Sequence, residues 1–221
     1  MKLDKSSMLV YAITDRAWLG EDSLPRQVEQ SIQGGATLVQ LREKNLAFDA
    51  FLKLAQEIKA VTSRYGIPLI INDNIEVALA CDAAGVHIGQ SDRSAKEVRA
   101  LIGEEKILGV SAKTVEQAKL AEANGADYLG AGAMFSTSTK LDTDLMTFDT
   151  LQAICSAVSI PVVAIGGIGE HNIIQLKGSG IDGVAVVSAI FAQPDITAAT
   201  KRLAALAKEI AGEYGAEWDT T

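Results

Sequence analysis

Short apolar runs alternate with amphipathic stretches along most of the chain. There are eight such runs, and nearly all end in polar residues: LVYAITD (9–15), LVQLREK (38–44), PLIINDN (68–74), GVHIGQSD (85–92), ILGVSAK (107–113), YLGAGAMFSTSTK (128–140), PVVAIGGI (161–168) and GVAVVSAI (183–190). Runs that are nearly all apolar are typical of parallel strands buried on both faces. The pattern therefore predicts eight buried parallel strands with polar segments at their ends.

The stretches between the runs have the periodicity of amphipathic helices. Between the second and third runs, apolar residues recur at helical spacing at Ala50, Leu54, Ile58 and Val61. Similar stretches lie at about 24–33, 74–83, 94–102, 114–124, 147–157, 171–179 and 195–213. About eight strand–helix units of this kind close naturally into one α/β barrel, the (β/α)8 fold.

An open, doubly wound α/β sheet is the alternative architecture. Its phosphate-binding loop would follow the first strand, but the segment after Ile13 reads TDRAWLGED and contains no G-x-G-x-x-G motif. We therefore predict one barrel domain spanning 1–221. Its core is expected at about 9–213, and the tail at about 215–221 is expected to fray.

Composition narrows the class of protein. Hydrophobic residues make up 48% of the 221 residues and charged residues 22%, as in globular domains. The net charge of -8 argues against nucleic-acid and anionic-membrane partners, which require clustered cations. Residues 8–13 form too short an apolar segment for a signal peptide, and the two cysteines are expected to be reduced, so we expect a cytoplasmic protein. A homo-oligomer is possible, but the sequence predicts no interface.

Two carboxylates close neighbouring predicted strands. Asp73 ends the third run and Asp92 the fourth, and the carboxyl ends of barrel strands meet at one face, where active sites are built. Carboxylates this close repel each other unless a cation lies between them, and Mg²⁺ binds through one or two carboxylates together with water and phosphate oxygens. The alternative is that either aspartate only caps the next helix.

Cations follow the second predicted strand. Arg42 and Lys44 combine a planar guanidinium with a mobile ammonium, so together they could bind one pyrophosphate. The alternative is a surface ion pair with Glu43.

Two further segments could bind a phosphate group. The hydroxyl-rich loop of Thr137, Ser138, Thr139 and Lys140 follows the sixth strand, and Gly166, Gly167 and Ser188 follow the seventh and eighth. Backbone amides beside small residues are typical anion sites in barrels, although tight turns use the same residues. His87 and His171 are interpreted as structural, and no catalytic triad or zinc spacing occurs. The chemistry is therefore expected to depend on charge stabilisation.

Seven motifs occur in the order found in one enzyme family: QLREK (40–44), IIND (70–73), GQSD (89–92), GVSAKT (109–114), STSTK (136–140), AIGGI (164–168) and VVSAI (186–190). Over about residues 9–191 the chain resembles thiamine phosphate synthase. The resemblance implies a TIM-barrel transferase that joins an aminopyrimidine, supplied as its hydroxymethyl diphosphate, to hydroxyethylthiazole phosphate or its carboxylated form. Thiamine phosphate and pyrophosphate would be the products. The diphosphate would ionise, and the thiazole nitrogen would capture the pyrimidine cation without a protein base.

The resemblance also implies roles for individual residues. The pyrimidine diphosphate would be bound by Gln40, Leu41, Arg42, Glu43, Lys44, Asn72, Ser111 and Lys140, of which Arg42, Lys44, Ser111 and Lys140 would be catalytic. Asp73 and Asp92 would bind Mg²⁺, and the thiazole phosphate would be bound by Thr137, Ser138, Thr139, Gly167, Val187 and Ser188. The chain departs from the family at Ala133 and Ser136, where prolines are common, and at Lys113, where histidine is frequent.

Three other functions remain open at this point. A thiazole phosphate tautomerase or a non-catalytic binding protein for thiamine precursors could share the fold. A sugar-phosphate isomerase or lyase could use the glycine loops, with Asp73 and Lys140 transferring protons. The joint presence of the two aspartates with Arg42 and Lys140 favours the synthase.

Overall fold

The strands of the barrel are short and lie where the apolar runs predict them. The computed structural model describes residues 5–136 and 145–211. The strands are β1 (Val10–Ile13), β2 (Leu38–Leu41), β3 (Leu69–Asn72), β4 (Gly85–Ile88), β5 (Ile107–Ala112), β6 (Tyr128–Gly132), β7 (Val162–Ile165) and β8 (Gly183–Val186). Each strand pairs in parallel with the next, and β8 pairs with β1. The predicted closed (β/α)8 TIM barrel is therefore confirmed.

Helices cover the outside of the barrel. They are α1 (Leu24–Gln33), α2 (Phe48–Arg64), α3 (Ile75–Ala80), α4 (Ala95–Ile102), α5 (Val115–Ala123), α6 (Phe148–Ala157), α7 (Ser188–Phe191) and α8 (Ile196–Ile210). Short 3-10 turns occur at Lys5–Met8, Arg16–Trp18 and Ile173–Leu176. None of the helices in the described ranges is both long and apolar enough to cross a membrane.

Two layers of apolar side chains form the core, because successive residues of a strand face opposite sides of the sheet. The outer layer lies between strands and helices and includes Val39, Leu41, Ile71 and Val86. The inner layer fills the barrel and comprises Met8, Tyr11, Ile13, Leu38, Ile70, Ile107, Tyr128, Val163 and Ala185. The inner layer carries two tyrosine hydroxyls into the barrel, where they meet the buried polar side chains of Gln40 and His87.

The prediction of a helix at 171–179 is wrong. Only the 3-10 turn at Ile173–Leu176 forms there, with both of its terminal residues fully buried. Residues three apart lie on the same side of a 3-10 helix, so this short turn buries both side chains. Gly178 and Gly180 follow with φ of +84° and +86°, which ends any helix.

Candidate active site

A cavity of about 450 Å³ opens at the carboxyl ends of the strands. Ten of the residues predicted from sequence to form the site line it: Gln40, Arg42, Lys44, Asn72, Asp73, Asp92, Ser111, Gly167, Val187 and Ser188. They follow or end six different strands, and barrel closure brings them to one place. Active sites of (β/α)8 enzymes lie at this face.

Two of the predicted substrate-binding residues do not line the cavity. Leu41 is fully buried in the outer layer of the core, because it follows the inward-facing Gln40 on the same strand. Glu43 lies close to Arg16, with 3.9 Å between its Oε2 and the guanidinium Nη1. These two side chains therefore lie outside the cavity lining, and their role in substrate binding stays a prediction. The predicted Thr137, Ser138, Thr139 and Lys140 lie outside the described residues.

The surroundings of Asp73 shift its pKa strongly. Desolvation within the cavity and the neighbouring Asp92 carboxylate raise the pKa of Asp73 to about 6, against smaller lowering effects of Arg42 and Asn72. The Asn72 amide donates a 2.6 Å hydrogen bond to Asp73 Oδ2, and the backbone N–H of Gly89 donates one of 2.7 Å to Asp92 Oδ2. The two carboxylates thus lie close enough at the cavity wall to repel each other.

Neither aspartate caps a helix. The side chain of Asn74 caps α3, accepting a hydrogen bond from the Val77 N–H, and Ser94 caps α4 in a reciprocal capping box with Glu97. Asp73 also has a φ of +60°, a left-handed conformation that is costly for a residue with a Cβ. The capping explanation of these carboxylates is therefore excluded by the structure.

The chemistry of the two carboxylates fits Mg²⁺ as part of a shared site. Within residues 5–136 and 145–211, no cluster of three or more His, Cys, Asp or Glu side chains could enclose a metal alone. Mg²⁺ does not need such a cluster, because it usually retains water and takes further oxygens from substrate phosphates. A divalent cation would also offset the repulsion that raises the pKa of Asp73.

Arg42 and Lys44 extend the ionic region from the end of β2. The backbone N–H of Arg42 donates a 3.1 Å hydrogen bond to Thr14 Oγ1, which ties this segment to the end of β1. Among the described residues the salt bridge of Glu43 is with Arg16, and Arg42 acts on this carboxylate only through a weaker electrostatic interaction, so the predicted surface ion pair is not observed. Both cationic side chains therefore line the same cavity as the two aspartates.

The glycines after β7 allow the segment after β6 to approach closely. Gly166 and Gly167 have φ of +98° and +65°. A Cβ on Gly167 would lie 2.6 Å from the Phe135 carbonyl oxygen, and one on Gly166 would lie 2.5 Å from the Ala133 Cβ. These glycines therefore have a packing role, whether or not their amides also bind a ligand. Beside them, α7 begins at Ser188, a short helix that the sequence pattern did not predict.

A hydrogen-bonded series of side chains at the cavity floor was missed by sequence reasoning. Gln40 Nε2 donates to the hydroxyl of Tyr11, which lies 2.8 Å from the hydroxyl of Tyr128. His87 bridges that hydroxyl and Ser111, with 2.9 Å from Nδ1 to Tyr128 Oη and 2.9 Å from Nε2 to Ser111 Oγ. His87 also lines the cavity, so its interpretation as purely structural was incomplete. Strand parity could have identified these inward-facing polar residues.

Other cavity residues were also missed. Gln90 donates a 2.6 Å hydrogen bond to the Ser111 carbonyl oxygen, and Lys113 lines the cavity close by. Gln90 belongs to the polar segment after β4, and a polar residue at the carboxyl end of a barrel strand is a sequence signal for the site. The departure of Lys113 from the family pattern does not by itself predict a position at the cavity.

Fold and site together define an α/β-barrel enzyme with an ionic cavity at the carboxyl ends of its strands. A family model described as "Thiamine monophosphate synthase" matches residues 10–190. Thiamine-phosphate synthases of Clostridium tetani and Clostridium beijerinckii are 50% and 52% identical to the chain. These alignments cover 88% and 91% of this chain and 93% and 95% of the relatives.

A solved structure agrees with these sequence matches. The thiamine phosphate pyrophosphorylase from Pyrococcus furiosus superimposes with a TM-score of 0.86 at 35% identity, covering 94% of this chain and 99% of that one. The chain belongs to the thiamine-phosphate synthase family of enzymes.

Proposed function

We propose that the enzyme condenses 4-amino-2-methyl-5-hydroxymethylpyrimidine diphosphate with hydroxyethylthiazole phosphate, or its carboxylated form, in a Mg²⁺-dependent reaction. The products are thiamine phosphate and pyrophosphate, and the carboxylated thiazole would in addition release its carboxylate as carbon dioxide. The observation that carries the proposal is one cavity in which Asp73 and Asp92 oppose each other beside Arg42 and Lys44. Paired carboxylates and cations are suited to a metal-bound diphosphate, and the uncharged floor below them is suited to a heterocycle.

Charge stabilisation is the main task in this reaction. The C–O bond to the diphosphate breaks, and negative charge grows on the departing pyrophosphate. Arg42 can contact two phosphate oxygens through its planar guanidinium, and Lys44 adds a mobile positive charge. Preorganised charges of this kind often make the largest contribution to catalysis. Mg²⁺ held by Asp73 and Asp92 would neutralise further charge on the leaving group.

No protein base is needed for the bond that forms. The aminopyrimidine carries the positive charge left on its methylene carbon, and the thiazole nitrogen supplies the electron pair of the new C–N bond. Burial lowers the pKa of His87 to about 4, so this imidazole is neutral at pH 7 and weakly basic. This property is consistent with a binding role for His87 rather than proton abstraction.

The second substrate is assigned to the other half of the cavity. We propose that Gly167, Val187 and Ser188 bind the thiazole phosphate, because they lie on the ends of β7 and β8, where (β/α)8 enzymes frequently bind phosphate. The roles proposed for Thr137, Ser138, Thr139 and Lys140 are supported by the family resemblance alone.

The test is a reconstitution with purified protein, both phosphorylated substrates and Mg²⁺. We expect thiamine phosphate and pyrophosphate in equal amounts, with loss of turnover when the metal is chelated. Arg42→Met should lower kcat/KM for the diphosphate by about 100-fold, by analogy with the loss of one charge-stabilising group. The exposed Arg64→Met is the matched control and should leave kcat/KM unchanged. Conversion of a thiazole phosphate isomer without use of the diphosphate would instead identify a tautomerase.

A further inference from the structure

The polar floor of the cavity is a continuous series of five side chains, which we call the floor chain: Gln40, Tyr11, Tyr128, His87 and Ser111. Four of them line the cavity, whereas Tyr128 lies behind the wall and is fully buried. The two ends, Gln40 on β2 and Ser111 on β5, were each predicted to contact the pyrimidine substrate. The floor chain therefore joins these two ends through three side chains, one of which, Tyr128, is too deeply buried to contact a ligand.

The barrel is shaped around the floor chain. Gly109 lies on β5 directly beneath the Tyr128 ring, and a Cβ there would overlap that ring. A Cβ on Gly130 would lie 3.3 Å from His87 Cε1. The rings of Tyr11 and Tyr128 pack edge to face, with centroids 5.8 Å apart and an interplanar angle of 78°. These contacts hold the hydroxyl and imidazole groups in line.

Every member of the floor chain is uncharged at neutral pH. Burial raises the pKa values of Tyr11 and Tyr128 and lowers that of His87 to about 4. A neutral imidazole has one donor and one acceptor nitrogen, and each tyrosine hydroxyl has one hydrogen to donate. The direction of each hydrogen bond therefore constrains the next one.

In the first of two directions, Gln40 Nε2 donates to Tyr11, Tyr11 to Tyr128, Tyr128 to His87 Nδ1, and His87 Nε2–H to Ser111. The Ser111 hydrogen is then available to a ligand, and the amide oxygen of Gln40 is the atom that the floor chain does not use. If the Gln40 amide is rotated by 180°, every bond reverses. Ser111 then offers a lone pair, and Gln40 offers its NH₂ group.

A floor chain in which some hydrogen bonds run in one direction and the rest in the other is energetically unfavourable. If Tyr11 accepted hydrogen bonds from both Gln40 and Tyr128, its own hydroxyl hydrogen would have no partner. Tyr11 is only 1% exposed, so water could not replace that partner and the unpaired group would be costly. We propose that the floor chain couples Gln40 to Ser111, so that the cavity presents one hydrogen-bond donor and one acceptor together, with His87 protonated on Nε2 in the free enzyme. Tyr11, Tyr128 and His87 are then positioning residues that match the site to a ring edge carrying both an amino group and a ring nitrogen.

Substrate kinetics provide one test, which rests on the proposed function. Gln40→Met and Ser111→Ala, singly and together, form a double-mutant cycle on KM for the pyrimidine diphosphate. We expect a coupling of about tenfold in the wild-type background and agreement with additivity within about twofold in a Tyr128→Phe background. Tyr65→Phe, on the surface, is the matched control and should preserve the coupling. Equal coupling in both backgrounds overturns the proposal, whereas absence of thiamine phosphate overturns the proposed function instead.

A second test needs no substrate. The chain has only two histidines, so ¹⁵N-histidine NMR of the full-length protein can identify which nitrogen of His87 carries the proton. Gln40→Glu replaces the donating amide by a carboxylate that only accepts, and at pH 8 it should reverse the floor chain and move the proton to Nδ1. Gln33→Glu adds the same charge on the surface and should leave the proton on Nε2.

A double variant tests whether the effect of residue 40 reaches His87 through the floor chain. In Gln40→Glu with Tyr128→Phe, the ring proton of His87 should no longer respond to the change at residue 40. If Tyr128→Phe fails to fold, Tyr11→Phe interrupts the floor chain one link earlier and serves the same purpose. The proposal is overturned if His87 of the wild type carries its proton on Nδ1, or if the proton stays on Nε2 in Gln40→Glu. It is also overturned if Gln40→Glu moves the proton equally when Tyr128→Phe or Tyr11→Phe interrupts the floor chain.

Discussion

At the scale of single residues, the polar groups inside the barrel determine how stability depends on pH. His87 is buried and uncharged, with its pKa lowered to about 4 from an ordinary value of 6.5. As pH falls from 6.5 to 4, the unfolded chain binds a proton at this position and the folded protein does not. The contribution of His87 to the free energy of unfolding is therefore fully present above pH 6.5 and is lost as pH falls toward 4.

We expect this loss to reach about 3 kcal/mol at most. Asp73 changes in the opposite sense, because its raised pKa gives stability that is lost as pH rises through about 6. Urea unfolding of wild type and His87→Gln between pH 4 and 7 separates the two contributions. The difference in unfolding free energy between the proteins should shrink as the pH is lowered; a constant difference would contradict the assignment.

Gly109 and Gly130 face the rings of Tyr128 and His87, and we expect alanine at these two positions to lower the free energy of unfolding by different amounts. A methyl group at Gly109 would overlap the Tyr128 ring, whereas one at Gly130 would meet the edge of His87 at 3.3 Å. Gly109→Ala should therefore lower the free energy of unfolding by about 1–3 kcal/mol, the usual cost of overpacking, and Gly130→Ala should cost less. Urea denaturation of both variants provides the measurement, and a larger loss in Gly130→Ala would contradict the packing account.

At the scale of elements, the loop before helix α4 contains one residue that stabilises the helix and one that faces the cavity. Ser94 closes the capping box of α4, and Asp92, two residues earlier, faces the cavity. Ser94→Ala should cost about 1 kcal/mol of stability, the usual value for an N-cap, with little effect on kcat. Asp92→Asn should instead lower kcat/KM by about 100-fold with little loss of stability.

Thermal unfolding together with steady-state kinetics on both variants distinguishes these roles. The outcome that contradicts this division is a similar loss of stability in both variants with unchanged turnover in Asp92→Asn. Such a result would return Asp92 to a structural role in the loop between β4 and α4.

Elements were predictable from sequence to different extents. The eight strands were predictable because each is a nearly continuous apolar run, and helices such as α2 because their apolar residues repeat at helical spacing. The 3-10 turn at Ile173–Leu176 was mistaken for a helix, because a spacing of three residues fits both structures. Helix α7 was missed because VVSAI reads as the apolar end of a strand, and nothing local marks the turn at Val187.

At the scale of the whole molecule, the ionic cavity predicts cooperative binding of metal and pyrophosphate. Mg²⁺ alone would be bound by two carboxylates, whereas Mg²⁺ together with pyrophosphate would also be held by phosphate oxygens and by the charges of Arg42 and Lys44. At about 100 times the dissociation constant, a bound ligand adds about 2.7 kcal/mol, which corresponds to an increase in Tm of roughly 5–10 °C for a chain of this size. We expect a smaller shift with either component alone.

Differential scanning fluorimetry measures these shifts. Asp73→Asn should lose most of the metal-dependent part, whereas Asp149→Asn on the exposed surface of α6 serves as the matched control. Equal shifts with and without Mg²⁺ in the wild type would contradict a metal site at the two aspartates.

The sequence by itself determined the fold and the ionic part of the site. Polar residues at the ends of apolar strands must gather at one face once parallel strands close into a barrel, so Arg42, Asp73 and Asp92 could be grouped without coordinates. Strand parity, which separates the inward Gln40 from the outward Leu41, is also a property of sequence.

Only the tertiary structure decided which inward-facing groups meet. Tyr11 and Tyr128 are 117 positions apart, and their hydroxyls come within 2.8 Å because closure of the barrel and the space at Gly109 set their depth. Hydrogen bonds depend on distances of a few tenths of an ångström and on direction, which hydrophobic periodicity does not specify. For that reason the floor chain from Gln40 to Ser111 became visible only in the folded protein.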